Sequence, residues 1–303
     1  MVYTSTQKMI HRSEILPDIR KSVNYAKYLQ TQGWIVERID NINYFLKKIP
    51  ILGSVLKIQR PQELDFKTIE KLEKKYKVFQ TIIEPNLSFV VSSVSDIHNS
   101  LLSKGYKLSN SPFLPSQTIH LDLTQTKDQI YRNFSKECKY SIKRGESVKT
   151  IECSTPSEIK KFHYAWKNSV NFNRHVPSLD SLLMIKKSFP QNKSLFLASH
   201  NKTGSIIGGA IFTISSHDVS NYITYYWHGF TNKEGRTSLS QYSLLYQGIL
   251  WGKKMGCKIF DFEGIYDSRF PIKSWLGFTR FKKSFGGTEI LYPGCYVKFR
   301  LPF

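Results

Sequence analysis

The chain has 303 residues and a mass of 35.2 kDa, enough for two domains of ordinary size with a core each. Hydrophobic residues make up 40% and aromatic residues 14%, which excludes a largely disordered protein. Lysine and arginine number 44 against 23 acidic residues, so the net charge of +21 favours nucleic acid, an anionic membrane surface or a phosphorylated substrate as partner. A lysine-rich composition without such a partner gives the same net charge.

The cysteine and histidine pattern predicts neither a disulfide framework nor a metal site. The four cysteines lack CxxC spacing, and the eight histidines form no HExxH or Cys/His array. Residues 1–20 contain no apolar run of signal-peptide length, and the apolar stretch 44–58 is interrupted by lysines, a proline and a glycine. We therefore expect a cytoplasmic protein that needs no metal and no cofactor.

Helical and strand patterns alternate along the chain, which predicts an α/β fold rather than an all-helical or all-β one. In the first third these are a helix at 18–32, strands at 34–39 and 54–58, a helix at 63–76, a strand at 78–83 and a short helix ending at Gly105. Residues 106–117 contain two prolines and four serines or asparagines without a period. This segment is the predicted boundary between two domains.

After this boundary the pattern restarts. It predicts a strand at 118–123, a helix at 126–144 that begins with a Thr126/Gln129 capping box, and a helix that begins at Thr155. Strands follow at 194–199, 206–214 and 221–227. A further helix begins with a capping box of Ser238 and Gln241 and ends at Gly256, and a strand at 258–262 follows it. One acyltransferase-like domain requires this order of elements, and the first third looks like an abbreviated copy.

Cations recur along one face of the predicted helix 126–144. Arg132, Lys136, Lys139 and Lys143 are spaced by four, three and four residues, and Arg144 follows directly. Like charges at this spacing repel by a few tenths of a kcal/mol per pair, which an anionic partner offsets when phosphates accept the cations. An ordinary solvated helix face has the same spacing, and the spacing alone fits both interpretations.

Two carboxylates close the predicted strand 258–262. Strand alternation places Asp261 and Glu263 on one face before Gly264 ends the strand. Such a pair either handles protons or, more commonly, accepts backbone N–H groups of the following loop.

Acyl transfer from an activated donor to an amine requires no Ser/His/Asp triad, and none is visible in the sequence. It requires alignment, a neutral amine and a cation or N–H donors where charge develops on the carbonyl oxygen. Lys282, beside the pair Gly286-Gly287, is a candidate for that cation. From the sequence alone, an ordinary exposed lysine next to Lys283 is the more common interpretation.

Two segments in series resemble the FemABX proteins, which move an amino acid from aminoacyl-tRNA onto a peptidoglycan precursor. The first is the basic helix end Lys139-Tyr140-Ser141-Ile142-Lys143-Arg144-Gly145, which follows a Leu-Asp-Leu strand at 121–123. The second keeps the family's order through Gly229, the helix 239–254, Gly256, Asp261-Phe262, Gly264, Gly277-Phe278, Phe281-Lys282, Phe285-Gly286-Gly287 and Tyr292-Pro293-Gly294. With weaker matches at Trp34 and Ile82–Pro85, the resemblance covers nearly the whole chain.

The resemblance implies an α/β fold of two tandem GNAT-like domains, that is, acyl-CoA N-acyltransferase-like domains, with mixed sheets. The first would comprise residues 1–115 and be completed by a last strand at 294–303, and the second, carrying most of the site, residues 116–293. The implied activity moves an amino acid from aminoacyl-tRNA to a stem-peptide amine and forms an interpeptide bridge. The acceptor would be UDP-MurNAc-peptide or a lipid-linked muropeptide, with transient contact with the inner membrane leaflet, and the protein would act as a monomer.

The resemblance also implies roles for single residues. Lys282 and Phe281 match a Phe-Lys pair that meets the tRNA end and the reacting carbonyl, so both are candidate catalytic residues. Arg174 matches a position that binds the acceptor's diphosphate, while Tyr226 matches a tyrosine of the acceptor channel and Glu84 an acid before a proline. We expect these three to bind substrate. The candidate tRNA-binding surface is the set of helix cations Arg132, Lys136, Lys139, Lys143 and Arg144.

Some features depart from the family. No segment has the length or heptad period of the helical hairpin that suits tRNA binding, HVPSLD follows Arg174, and Gly145 replaces an alanine. An acyl-CoA-dependent N-acyltransferase acting on an envelope sugar or amine is therefore the alternative. The Arg/Gln-x-x-Gly-x-Gly/Ala loop that would cradle its pyrophosphate is missing, since Gly208-Gly209-Ala210 lies in a strand pattern. A non-catalytic nucleic-acid or envelope-binding module with this fold is a third possibility.

Overall fold

The structure is a computed structural model that describes residues 18–86, 94–170, 174–190, 192–216 and 222–300. Within these ranges the chain forms two mixed β-sheets covered by helices. Strands and helices are numbered along the chain. The first sheet has the spatial order β1-β2-β3-β4-β13-β5, with β1 at Ile35–Ile39, β2 at Ile42–Ile49, β3 at Gly53–Gln59, β4 at Val78–Glu84, β5 at Lys107–Leu108 and β13 at Tyr296–Phe299.

The second sheet has seven strands in the described ranges. Their spatial order is β12-β6-β11-β10-β9-β8-β7, with β6 at Gln117–Asp122, β7 at Lys149–Glu152, β8 at Ser194–His200, β9 at Ile206–Ser216, β10 at Tyr222–Thr231, β11 at Ile259–Asp261 and β12 at Thr288–Leu291. Strands β5 and β6, on either side of residue 115, belong to different sheets. Because these two strands belong to different sheets, we propose that the boundary between the two domains lies between residues 115 and 116.

The helices connect and cover the two sheets. They are α1 at Val23–Thr31, α2 at Phe66–Lys75, α3 at Val94–Ser103, α4 at Lys127–Arg132, α5 at Lys136–Gly145, α6 at Pro156–Ser169, α7 at Leu179–Ser188, α8 at Lys233–Thr237, α9 at Ser240–Lys254 and α10 at Leu276–Lys283. Short 3₁₀ turns lie at Ile19–Lys21 and Lys273–Trp275. Among the described residues no helix is long and apolar enough to cross a membrane.

Each sheet is built around one parallel pair of strands. In the first sheet β3 and β4 are parallel and α2 connects them, and in the second sheet β10 and β11 are parallel and α9 connects them. The other strand pairs are antiparallel. A parallel pair needs a crossover connection, and a helix supplies it in both sheets.

Three apolar clusters form the core. One lies between the second sheet and helices α4, α5 and α9, one between the opposite face of that sheet and helices α6 and α7, and one on the first sheet. Helix α1 packs on both β1 and α7. Ile19 belongs to the second of these clusters, and Tyr25 and Tyr28 pack against it. The two sheets are therefore joined by the N-terminal helix of the described chain.

Two predicted elements were wrong in detail, and some elements were not predicted. The helix expected at 126–144 is two helices, because Ser135 caps α5 by accepting from the Cys138 N–H while its own N–H bonds the Ser284 carbonyl. Strand β2 was missed inside an apolar stretch. The Ser238/Gln241 capping box does not form: Ser238 ends α8, and α9 begins after Leu239, which has a φ of 58°.

Candidate active site

A gap opens in the second sheet where its parallel pair separates. In the described residues β11 pairs with β10 no further than Tyr225 and Asp261, whereas β10 continues to Thr231 beside β9. A β-bulge at Trp227 interrupts the β9–β10 ladder at the same point, since Tyr226 pairs with Phe212 and His228 with Ile211. Bulges redirect side chains beside active sites, and here the bulge lies in the wall of a cavity.

The gap is occupied by a cavity of about 940 Å³, within the size range of small-molecule sites. Its wall comes from the second half of β10, the end of α6, the start of α9, the turn 263–264 and α10. Ten aromatic side chains line this wall: Trp166, His175, Tyr226, Trp227, His228, Phe230, Tyr242, Trp275, Phe278 and Phe281. Three cations, Arg174, Arg236 and Lys282, also line it.

Lys282 is the buried cation of this cavity. Its side-chain Nζ donates to the carbonyl oxygen of Gly264 at 2.6 Å, and it lies 5.6 Å from the ring centre of Tyr226 and 5.0 Å from that of Phe278. Burial lowers the pKa of Lys282 to about 8, although the nearby carboxylates Glu263 and Asp261 favour its charged form. An ammonium has three protons, so two remain for a ligand once Gly264 is satisfied.

Phe281 lies on the wall beside this lysine. Its ring packs edge-on against Tyr242 at 4.7 Å, and Tyr242 stands in the first turn of α9. Phe281 therefore connects α10 with α9 in the wall of the cavity. The structure brings together four of the predicted site residues, Phe281, Lys282, Tyr226 and Arg174.

Glu263 is the acid of the cavity, and the strand prediction placed it incorrectly. β11 ends at Asp261, and Glu263 has a φ of 59°, a left-handed conformation that is unfavourable for a residue with a side chain. Asp261 accepts from the Glu263 N–H at 2.7 Å, from Thr118 at 2.5 Å and from His120 at 3.2 Å, so Asp261 is fixed within the protein. The two carboxylates thus separate, and only Glu263 lines the cavity.

A buried ion network fixes one oxygen of Glu263. Its Oε2 accepts from Arg20 at 2.8 Å, and Arg20 and Arg60 both lie near Asp18, at 3.5 and 3.8 Å. The other oxygen, Oε1, has no hydrogen-bond partner among the described residues. Burial raises the pKa of Glu263, and the Asp261 charge adds to this increase while Arg20 opposes it.

Tyr226 and His228 stand on either side of the bulge residue Trp227, and both line the cavity. The Tyr226 hydroxyl accepts from Gln241 at 2.7 Å, and a Cβ at position 229 would overlap this hydroxyl, which explains the glycine there. Burial raises the pKa of Tyr226, so the phenol remains neutral. Burial and the neighbouring His175 lower the pKa of His228 to about 4, so its imidazole is uncharged at neutral pH.

Two arginines stand on the exposed side of the cavity. Arg174 is exposed, and Arg236 at the end of α8 is exposed and donates to the Thr231 carbonyl at 2.9 Å. Neither has a carboxylate partner among the ion pairs of the described residues. Arg236 was not predicted, because nothing in the sequence places the α8 turn beside Arg174.

The basic residues of α4 and α5 lie next to the cavity rather than in it. Helix α5 begins at the end of α10, where the Ser135 N–H donates to the Ser284 carbonyl at 2.9 Å. It ends against the start of α9, where a Cβ on Gly145 would lie 2.8 Å from the Leu239 carbonyl oxygen. The helix therefore spans the two helices that carry the cavity wall.

These cations do not form one continuous stripe. The break between α4 and α5 places Arg132 on a separate helix from Lys136, Lys139 and Lys143. Lys139 folds back and donates to the Arg132 carbonyl at 2.8 Å. Lys136, Lys143 and Arg144 are exposed.

Glu84 does not line the cavity. It is buried at the end of β4, where it accepts from Gln59 at 3.2 Å and from the Leu114 N–H at 2.6 Å. Pro115, the next residue after Leu114, does line the cavity. Glu84 therefore holds the loop that borders the cavity instead of facing a ligand.

Comparison with solved structures identifies the fold. FemX superposes with a TM-score of 0.76 at 14% identity, over 95% of this chain and 94% of FemX. The chain has the FemX fold. The likeness to FemX expected from the sequence and the expected α/β architecture with mixed sheets are thereby confirmed at the level of the fold.

Two further structures share the FemX fold over most of their length. The C-terminal domain of a putative lysylphosphatidylglycerol synthetase from Agrobacterium fabrum has a TM-score of 0.57 at 10% identity, with 92% of this chain and 88% of that one covered. L-PGS from Bacillus licheniformis has a TM-score of 0.56 at 14% identity, with 95% and 94% covered. No protein-family model matches the sequence. The search of curated proteins gave no match either.

Proposed function

We propose that this protein is an aminoacyltransferase that moves an amino acid from aminoacyl-tRNA to an amine on the stem peptide of a peptidoglycan precursor. The observation that carries the proposal is the ammonium of Lys282, buried in the wall of a large cavity with two of its protons free for a ligand. The resemblance to FemABX proteins supports the choice of donor and acceptor. The reaction then takes place in the cytoplasm, with the protein as a monomer.

In this proposal Lys282 stabilises the charge that develops on the aminoacyl carbonyl oxygen. When the acceptor amine attacks the ester carbon, the carbonyl oxygen becomes negative, and a positioned cation in a water-poor site stabilises it strongly. Lys282 is held for this role by Gly264 and by the two rings beneath its ammonium, so it need not reorganise during the reaction. With a pKa of about 8 it is largely charged at neutral pH.

Glu263 is the group we assign to the proton of the attacking amine. A new C–N bond forms and the ester C–O bond breaks. The amine gives up a proton to the Glu263 carboxylate, and the leaving tRNA oxygen takes up that proton, which regenerates the carboxylate. Glu263 lines the cavity and adjoins Gly264, which holds Lys282, so one turn positions both charged groups. A carboxyl group with a raised pKa is better matched to proton transfer near neutral pH than an ordinary one.

The remaining predicted residues have places in the same proposal. Arg174 and Arg236 are both exposed cations on the cavity wall, so we assign both to the phosphates of the acceptor. Tyr226 borders the acceptor channel. Lys136, Lys143 and Arg144 contact the tRNA backbone beside the cavity, where α5 joins α9 and α10. Glu84 is left out of the substrate contacts because it faces away from the cavity.

The neighbours with the FemX fold support aminoacyl transfer as the reaction class. One of them is named a putative lysylphosphatidylglycerol synthetase, and the product in that name contains an aminoacyl group. The alternative donor is acyl-CoA, with transfer to an envelope sugar or amine. Gly208 to Ala210 lie within β9, and no pyrophosphate-binding loop stands at that place.

The donor is tested with the purified full-length protein. It is incubated with a muropeptide acceptor and either charged tRNA or acetyl-CoA, and the acceptor is analysed by mass spectrometry. We expect the acceptor to gain the mass of an amino-acid residue with charged tRNA and to remain unchanged with acetyl-CoA. Transfer from acetyl-CoA alone would replace the proposal with the acyl-CoA alternative, and no transfer from either donor would favour a binding module.

A further inference from the structure

A patch of exposed apolar side chains lies beside the cavity mouth. Ile272, Leu276 and Phe278 follow one another around the start of α10 with 42%, 52% and 36% of their surface exposed, and Phe113, on a separate loop, is 54% exposed. We call these four residues the apolar rim. Large apolar side chains clustered on a surface mark an interaction site, because their exposure to water is unfavourable.

The rim is one surface and is continuous with the cavity. Phe113, Ile272 and Trp275 line a common recess of about 60 Å³. The Trp275 ring lies 5.3 Å from the Phe278 ring, and both of these rings also line the main cavity. A partner that covers the rim therefore also covers the cavity mouth.

The charges around the rim that lack an ion-pair partner among the described residues are positive. Of the five cations between Ser268 and Lys283, Arg269 pairs with Asp267 in the wall of the recess, Lys283 pairs with Glu289, and Lys282 is buried in the main cavity, which leaves Lys273 and Arg280. Lys273 and Arg280 are exposed, and the Lys57 ammonium lies 4.5 Å from the centre of the Phe113 ring. The partner is therefore apolar in part and anionic in part.

The chemistry of the rim distinguishes between two anionic partners. A nucleic acid binds cations and aromatic rings, on which bases stack, but gains little from aliphatic side chains. Ile272, Leu276 and the neighbouring Pro271 are aliphatic and exposed, and at Gly277 there is open space around the chain. Protruding aliphatic and aromatic residues with interleaved cations are typical of proteins that bind the surface of an anionic bilayer.

We propose that the apolar rim inserts into the surface of an anionic phospholipid bilayer and thereby presents the cavity to an acceptor held in that bilayer. The second half of this inference rests on the proposed function, because it selects the lipid-linked acceptor over the soluble one. The first half does not, since binding to lipid requires no catalysis.

The binding is tested by flotation of the full-length protein with vesicles. Vesicles of phosphatidylcholine alone are compared with vesicles that also contain phosphatidylglycerol. The variant is Ile272→Ser with Leu276→Ser, two residues outside the wall of the main cavity. The matched control is Ile51→Ser with Leu52→Ser, which removes two exposed aliphatic side chains from the β2–β3 turn at the opposite end of the first sheet.

We expect the wild type and the control to bind phosphatidylglycerol vesicles, and the rim variant to bind about tenfold more weakly or worse. All three should transfer equally well to a soluble muropeptide, which shows that the rim variant is folded. Equal vesicle binding by the variant and the wild type would overturn the proposal, as would no vesicle binding by the wild type. A rim variant that loses affinity for tRNA instead would identify the rim as an RNA contact. Failure of the wild type to transfer to any acceptor would count against the proposed function alone.

Discussion

Lys282 and Gly264 are joined by a hydrogen bond of 2.6 Å across the cavity wall, from an ammonium on α10 to a backbone carbonyl eighteen residues earlier. The next residue, Lys283, is exposed and pairs with Glu289 at 2.7 Å on the surface. Two adjacent lysines thus have opposite environments. The difference is tertiary, because the carbonyl of Gly264 is brought to α10 by the loop after β11.

The rate of transfer should fall at alkaline pH because of Lys282. Burial lowers its pKa to about 8, and only the charged form stabilises the developing oxyanion. As pH rises through about 8 the ammonium loses its proton, so kcat should fall there. A pH profile of single-turnover rates, with ester hydrolysis subtracted, measures this, and a rate that is constant up to about pH 10 would contradict the assignment.

Glu263→Gln should remove the acidic limb of the same profile. The amide keeps an oxygen for Arg20 but cannot accept a proton, so we expect kcat to fall by roughly 10²- to 10⁴-fold. In the wild type, the rate should rise as pH increases through the raised pKa of Glu263, where the carboxylate forms.

Asp267→Asn is the control for this variant. Asp267 is a buried carboxylate that accepts from Ser116 at 2.6 Å and pairs with Arg269, outside the main cavity. Its loss can lower the free energy of unfolding but should leave the shape of the pH profile unchanged. If Glu263→Gln keeps the acidic limb, Glu263 is only a partner of Arg20.

Arg174→Ala and Arg236→Ala should each weaken acceptor binding with little effect on kcat. Both arginines line the cavity without a carboxylate partner among the described residues, and a phosphate contact of this kind contributes about 1.5–3 kcal/mol. We expect KM for a diphosphate-bearing acceptor to rise about tenfold or more, and KM for the free stem peptide to stay constant. An equal effect on both acceptors would remove the phosphate assignment.

The double variant Lys136→Gln with Lys143→Gln should reduce the salt dependence of tRNA binding. Each lost phosphate contact lowers the slope of log affinity against log salt by about 0.7 to 0.9. Lys71→Gln, on an exposed face of α2, should leave the slope at its wild-type value. A slope that the double variant does not change would show that these cations are an ordinary solvated face.

The alternation of elements and the order of motifs were sufficient to predict the fold class. The details that failed depend on long-range contacts. The sequence pattern of 126–144 suggested one helix through the break, and the break is stabilised by the Ser284 carbonyl, far along the chain. The end of β11 was placed too late because Asp261 turns back to accept from the Glu263 N–H.

The candidate site was predicted in part for a similar reason. Lys282, Phe281, Tyr226 and Arg174 came from a motif resemblance, and the structure places them around one cavity. Arg20 and Arg236 carry no local signal, since each reaches the site only when distant elements pack together. Glu84 precedes a proline in the motif, yet its carboxylate turns inward to Gln59 and Leu114.

The most direct test of the central claim compares Lys282→Met with Lys283→Met in single-turnover transfer from aminoacyl-tRNA to a muropeptide at neutral pH. Removing one donor to a developing oxyanion costs about 10²- to 10³-fold in rate, so Lys282→Met should lose this much while its acceptor affinity stays within about twofold. Lys283→Met, which removes an exposed surface ion pair, should retain the wild-type rate. Equal rates for both variants and the wild type would contradict the account.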